Sequence, residues 1–265
     1  MRFIKLIILF LLFICLKADA QTIDTLIDLG SYKLHFKITK GKGTPILFES
    51  GGGLDIHQWD NIIPPLQKAI GTTFITYDRE GFGKSGIDTL HYNLLNEIKG
   101  LETGLTKLGY ENTPLILVCH SLGGFYARVY AARHPALVKG IVMFDPRIPS
   151  YADMAFARKV SNTLDKKLKY ESPSLYDVLA NMEHNSDIAR QAIIPLQIPI
   201  LDIMAEFGPY DSAADNDRFK AAQKHFVKQG SNRRLFYAKG ASHNIPYSKP
   251  QLAIDEVSSF YNNWH

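Results

Sequence analysis

The stretch Pro114–Pro135 constrains the fold more than any other part of the chain. "LILVCH" reads as a strand buried on both faces, and "LGGFYARVYAARH" reads as a helix closed by Pro135. Between them stands one polar residue, Ser121, followed by Leu122, Gly123 and Gly124. A strand that is apolar throughout belongs to a sheet covered on both faces, and one that runs directly into a helix opens a parallel crossover.

The same grammar repeats along the chain. "ILFES", "TFITYD", "KGIVMFD" and "PILDIMA" are short apolar runs, each followed by a glycine-rich or charged loop and then by helical spacing. "TIDTLIDLG" and "YKLHFKITK" instead alternate apolar and polar residues and meet at Gly30-Ser31, which predicts a hairpin with one wet face. "IHQWDNIIPPLQKAI" is a helix started or interrupted at Pro64-Pro65. His91–Leu108 has helical apolar spacing, and "PQLAIDEVSSFYNNW" is a last helix with Pro250 at its start. Residues 147–195 break the rhythm with mixed charge and helical stretches but no strand, and so predict a helical insert. The expected architecture is α/β: a mostly parallel sheet of about eight strands, helices on both faces, and a helical cap.

Ser121 explains its own neighbours. A nucleophile on a strand-to-helix turn lifts its hydroxyl clear of the sheet, and the strained backbone requires small residues two positions before and after it. Gly123 meets that need; Cys119 stands where glycine is usual and is small enough to serve. The Leu122 amide opens the following helix, where N–H groups lack partners and negative charge is favoured. With the Gly52 amide of "ESGGG", it forms a candidate oxyanion hole. Ser121 needs a base, and His243, in "GASHNIP" between the last strand and last helix, is the candidate. Serine first and histidine last is the chain order of one hydrolase class.

Together, "ESGGG", "TYDREGFGKSG", "CHSLGG" and "GASHNIP" resemble the α/β-hydrolase superfamily over nearly all of residues 22–264. The resemblance implies a carboxylate that orients His243. The superfamily usually places it in Gly-x-x-Asp after the strand that follows the insert. Here that segment reads "ILDIMAEFGPYD", with Ala205 for the glycine and Gly208 for the acid. Asp145, ending the preceding strand, matches the place used by some relatives, certain haloalkane dehalogenases among them. Glu206 and Asp211 are the alternatives. Asp202 is expected to point out of mid-strand and is set aside, Asp78 and Arg79 read as loop braces, and Cys119 as buried and inert.

The opening "MRFIKLIILFLLFICLKADAQ" has Arg2 and Lys5, an apolar run and Ala18-Asp19-Ala20, the layout of a signal peptide cleaved after Ala20. Its apolar run, Leu6–Leu16, is too short for a spanning helix, so a secreted or periplasmic chain without a stable membrane span is expected. Lys and Arg number 30 against 26 Asp and Glu, and the surplus shrinks further without residues 1–20, giving no reason to expect a nucleic-acid partner. No His, Asp or Glu cluster has metal-ligand spacing, and no cofactor is expected. The function expected is that of a serine hydrolase cleaving a small, apolar ester through an acyl-enzyme. Tyr151, Phe156, Tyr170, Leu175, Tyr176 and Leu179 would either form an apolar pocket under the cap or fasten the cap to the core. A non-catalytic protein that binds or senses a small molecule is the second reading. Oligomeric state is not legible.

Overall fold

The structure is a computed structural model that describes residues 21–263; the expected signal peptide lies outside them. Eight strands form one sheet: β1 (Thr22–Asp28), β2 (Lys33–Thr39), β3 (Ile46–Glu49), β4 (Phe74–Asp78), β5 (Leu115–His120), β6 (Val138–Phe144), β7 (Ile200–Ala205) and β8 (Arg233–Ala238). Their order is β1-β2-β4-β3-β5-β6-β7-β8. The β1–β2 hairpin turns at Gly30, whose φ of 98° only glycine adopts freely, and β2 pairs antiparallel with β4. From β4 to β8 every pairing is parallel.

The helices are α1 (Ile63–Ile70), α2 (Leu94–Lys107), α3 (Gly123–Arg133), α4 (Tyr151–Asn162), α5 (Leu168–Glu171), α6 (Pro173–Ala180), α7 (Met182–Gln191), α8 (Ala213–Lys228), α9 (Ile245–Ser248) and α10 (Pro250–Asn263). Alternate residues of each central strand feed two cores. Leu47, Leu117 and Ile141 pack against α2, α3 and Phe226 of α8. Phe48, Val118, Val142 and Ile203 pack against α1 and α10. This two-sided burial is why those strands read as unbroken apolar runs, and each buried Leu, Ile or Phe side chain stabilises the fold by about 1.5–3 kcal/mol.

Local chemistry sets two element boundaries. Ile56–Trp59 is a separate 3-10 turn, and α1 starts only at Ile63 with proline in its first turn. The second helix begins at Leu94 rather than near His91, because the Asn93 side chain accepts from the Asn96 amide and caps it. The insert between β6 and β7 is helical as expected, comprising α4 to α7.

Asp202 corrects the expectation that it points outward. It is fully buried in β7, and neither of its carboxylate oxygens meets a donor. In register it shares a row with Met143 and Leu235. Burial, with the Asp145 charge nearby, pushes its carboxyl well above the ordinary 3.8. The folded chain therefore holds a proton that the unfolded chain releases above about pH 4, so this residue costs stability increasingly as pH rises. Asp202→Asn, which keeps the shape without the ionisation, is expected to raise Tm at pH 7–8, with the gain disappearing near pH 4. Thermal melts across that range check this.

Candidate active site

Ser121 leaves the end of β5 with φ 53°, in the left-handed region. Such a residue typically costs about 1–3 kcal/mol and persists only where its surroundings hold it. Here its amide donates to the Phe144 carbonyl (3.1 Å), and its own carbonyl accepts from Gly124 (3.0 Å) and Arg147 (2.8 Å). The turn is crowded as the sequence implied. A Cβ on Gly123 would lie 2.6 Å from the Glu49 carbonyl oxygen and 2.8 Å from that of Ser50. Cys119 is buried, and burial pushes its thiol up, which keeps it protonated and inert.

The structure brings Ser121, His243 and Asp145 into one line. His243 Nδ1 donates to Asp145 Oδ2 at 2.6 Å, and His243 Nε2, 2.9 Å from Ser121 Oγ, is then free to accept the hydroxyl proton. Asp145, itself at φ 42°, is fixed twice more: its Oδ1 accepts from the Ala205 amide (3.0 Å) and from Gln223 Nε2 (2.9 Å). The histidine loop is tied down by His120, whose Nε2 donates to the His243 carbonyl at 3.0 Å. Burial and the neighbouring His243 hold His120 well below the usual imidazole range, so it stays neutral. Phe219 closes the other side of His243 edge-on, with ring centroids 5.7 Å apart.

The alternative acids sit elsewhere. Glu206 Oε2 accepts from the Gly240 amide (2.5 Å) beyond the end of β8, and Asp211 is exposed in the loop before α8.

Gly52 and Leu122 are neighbours: a Cβ on Gly52 would stand 3.2 Å from the Leu122 side chain. Among the described residues no backbone acceptor outside a helix or strand takes either amide. The loop that carries Gly52 is set from beneath by Arg79, which donates to the carbonyls of Ser50 (2.7 Å) and Gly51. Arg79 is buried and stacks on Tyr126, 4.5 Å from the ring centroid. Two buried acids flank it, and burial lifts Glu49 to about 7 and Glu97 to about 8 despite the opposing pull of its charge. Asp78 does not pair with Arg79; it braces the loops separately, accepting from His35 (2.7 Å), Ile56 (2.9 Å) and Lys84 (2.8 Å).

The insert packs against the loops beside this centre. Leu175 of α6 lies 3.8 Å from where a Gly53 Cβ would be, and Ser174 donates to the Gly81 carbonyl. Asp153 of α4 anchors the insert, accepting from buried Arg147 (2.9 Å) and from Ser186 of α7, with Arg218 at 3.5 Å. Phe156 packs at a tilt against Tyr210, which meets Phe219 edge-on beside His243. Tyr151 and Tyr170, expected to line an apolar pocket, are instead 76% and 86% exposed.

A strand-borne serine on a strained elbow, a histidine after the last strand and an acid after β6, all on a mostly parallel eight-stranded sheet, decide the family. The chain belongs to the α/β-hydrolase superfamily. The family described as "alpha/beta hydrolase fold" matches residues 44–166. YqjL of Bacillus subtilis is 24% identical over 234 residues, 84% of this chain and 87% of that protein. A bovine (lyso)-N-acylphosphatidylethanolamine lipase is 30% identical over 107 residues, 39% of this chain but 30% of the lipase. A carboxylesterase structure from the thaumarchaeon Nitrososphaera gargenis superposes with TM-score 0.69 at 18% identity, covering 91% of this chain and 98% of that one. At that identity the likeness is one of fold. As an α/β hydrolase, the chain carries an insert at the usual place for a cap, between β6 and β7.

Gln223 was not read from the sequence; Arg79 was read as a loop brace, and the loop it holds is the one at Ser50 and Gly51. Gln223 lies in a charged helix with nothing local to mark it, and only the packing of α8 against β7 and β8 brings it to Asp145.

Proposed function

We propose that this α/β hydrolase is an exported serine esterase that cleaves a small ester through an acyl-enzyme. The observation that carries this reading is the continuous line Ser121 Oγ–His243 Nε2 (2.9 Å) and His243 Nδ1–Asp145 Oδ2 (2.6 Å). In the first half-reaction, Ser121 Oγ attacks the ester carbonyl as His243 Nε2 takes its proton. Asp145 holds the imidazole in the tautomer that leaves Nε2 free and stabilises the imidazolium. The carbonyl oxygen, now negative, is received by the amides of Gly52 and Leu122, each such donor being worth about 3 kcal/mol of barrier. His243 returns the proton to the departing alcohol. It then activates a water that attacks the acyl-enzyme, releasing the acid and restoring Ser121.

A serine elbow also argues against epoxide and haloalkane chemistry. Those reactions proceed through an alkyl ester on an aspartate, whose carbonyl a water can attack. An alkyl ether on Ser121 would offer no such carbonyl and could not turn over.

Screening the chain without residues 1–20 on p-nitrophenyl esters of graded acyl length tests the proposal. Turnover that falls by about 10⁴ or more in Ser121→Ala is expected. Equal rates in the two proteins would defeat the proposal and favour a binding or sensing role.

A further inference from the structure

A cavity of about 300 Å³ whose lining includes neither Ser121 nor His243 opens between α3, α7, α8 and the segment that leads from Asp145 into α4. Its polar lining is one-sided. Arg128 of α3, Arg190 of α7 and His225 of α8 all face it, and no Asp or Glu lines it. Ile148, Pro149 and Phe226 supply apolar lining, with the Arg128 guanidinium 5.8 Å from the Phe226 ring centroid.

The guanidinium groups here are under-used. Arg128 spends its Nε on the Ala192 carbonyl at 2.6 Å, and among the described residues no carboxylate pairs with it. Burial, together with the charge of Arg233, lowers Arg128 to about 10, far from the ordinary arginine value of 12.5. Arg190 gives one nitrogen to Asp187 (2.8 Å), while its buried Nε meets no acceptor. A guanidinium held against apolar surface without an anion, as that of Arg128 is, is costly, and the planar fork of either arginine matches a carboxylate.

We propose that this cavity is a binding site for a small amphiphilic carboxylate, its charged end between Arg128 and Arg190 and its apolar body against Ile148, Pro149 and Phe226. The volume suits a ligand with one or two rings or a short acyl chain. The site shares α8 with Gln223, which holds Asp145, but it does not depend on the hydrolase reading: it requires only binding.

Isothermal titration calorimetry with 2-naphthoate, its neutral counterpart 2-naphthamide and inorganic phosphate tests the site. The expected result is that naphthoate binds at least about tenfold more tightly than either, as a charge-assisted contact implies. Arg128→Met should erase the preference over naphthamide. Arg190→Met should reduce it as well, providing a second reading if the first variant folds poorly. Equal affinity for naphthoate and naphthamide, or a preference that survives in both variants and so belongs to another place, would overturn the proposal. Phosphate binding as tightly as naphthoate would overturn the amphiphilic class.

Discussion

Asp145→Asn lowers kcat on a p-nitrophenyl ester by about 10³–10⁴ while the thermal melt stays cooperative, whereas Glu206→Gln and Asp211→Asn remain near the parent rate. The reason lies in how Asp145 is held. Its Oδ1 already accepts from the Ala205 amide and from Gln223. An asparagine keeps its carbonyl oxygen on those two donors and turns its NH₂ toward His243. That forces His243 Nδ1 to accept and puts the proton on Nε2, where it can no longer take one from Ser121. Loss of the working tautomer with intact geometry has an effect of this size in serine hydrolases. A parent-like rate in Asp145→Asn, with loss in Glu206→Gln, would move the role of acid to the other residue.

Gly123→Ala is expected to destabilise the chain by at least about 1–3 kcal/mol and to cost most of its turnover. The added Cβ would stand 2.6 Å and 2.8 Å from two backbone oxygens, Glu49 and Ser50, which cannot swing aside as a side chain would. Relief requires β3 and the start of α3 to part. That movement carries Ser121 away from His243 and Gly52 away from Leu122. The contrasting substitution is Gly109→Ala: nothing lies within 4 Å of its added Cβ, and the cost is only that of its positive φ, 81°. Denaturant titration compares the two, and Gly123→Ala should show the larger loss together with the larger fall in kcat. Full stability and activity in Gly123→Ala would mean that the elbow is less tightly packed than these distances state.

The fold was legible because its strands are buried on both faces. "LILVCH", "TFITYD" and "IVMFD" carry no alternation to confuse with a surface strand, and each is cut off by a turn with its own chemistry. Ser121 and His243 were legible for a related reason: a polar side chain at the abrupt end of an apolar run is there because the backbone presents it. Asp145 was only one of three candidates, since the choice depends on which loop lies beneath the imidazole, a fact of tertiary packing. The insert was the least legible part. Its aromatic residues follow helical spacing, but spacing alone does not say which side faces the core, and Tyr151 and Tyr170 proved to face solvent. Asp202 was misread because a carboxylate in mid-strand is ordinarily excluded from the interior. Its proton, which makes burial tolerable, leaves no mark in the sequence.

The most direct test of the central claim, that Ser121 is a nucleophile driven by His243, is covalent labelling with a fluorophosphonate followed by peptide mapping. The geometry predicts one adduct per chain, on Ser121, lost in Ser121→Ala and slowed by orders of magnitude in His243→Ala. Folded protein that takes no label, or takes it on another residue while Ser121 stays free, would contradict it.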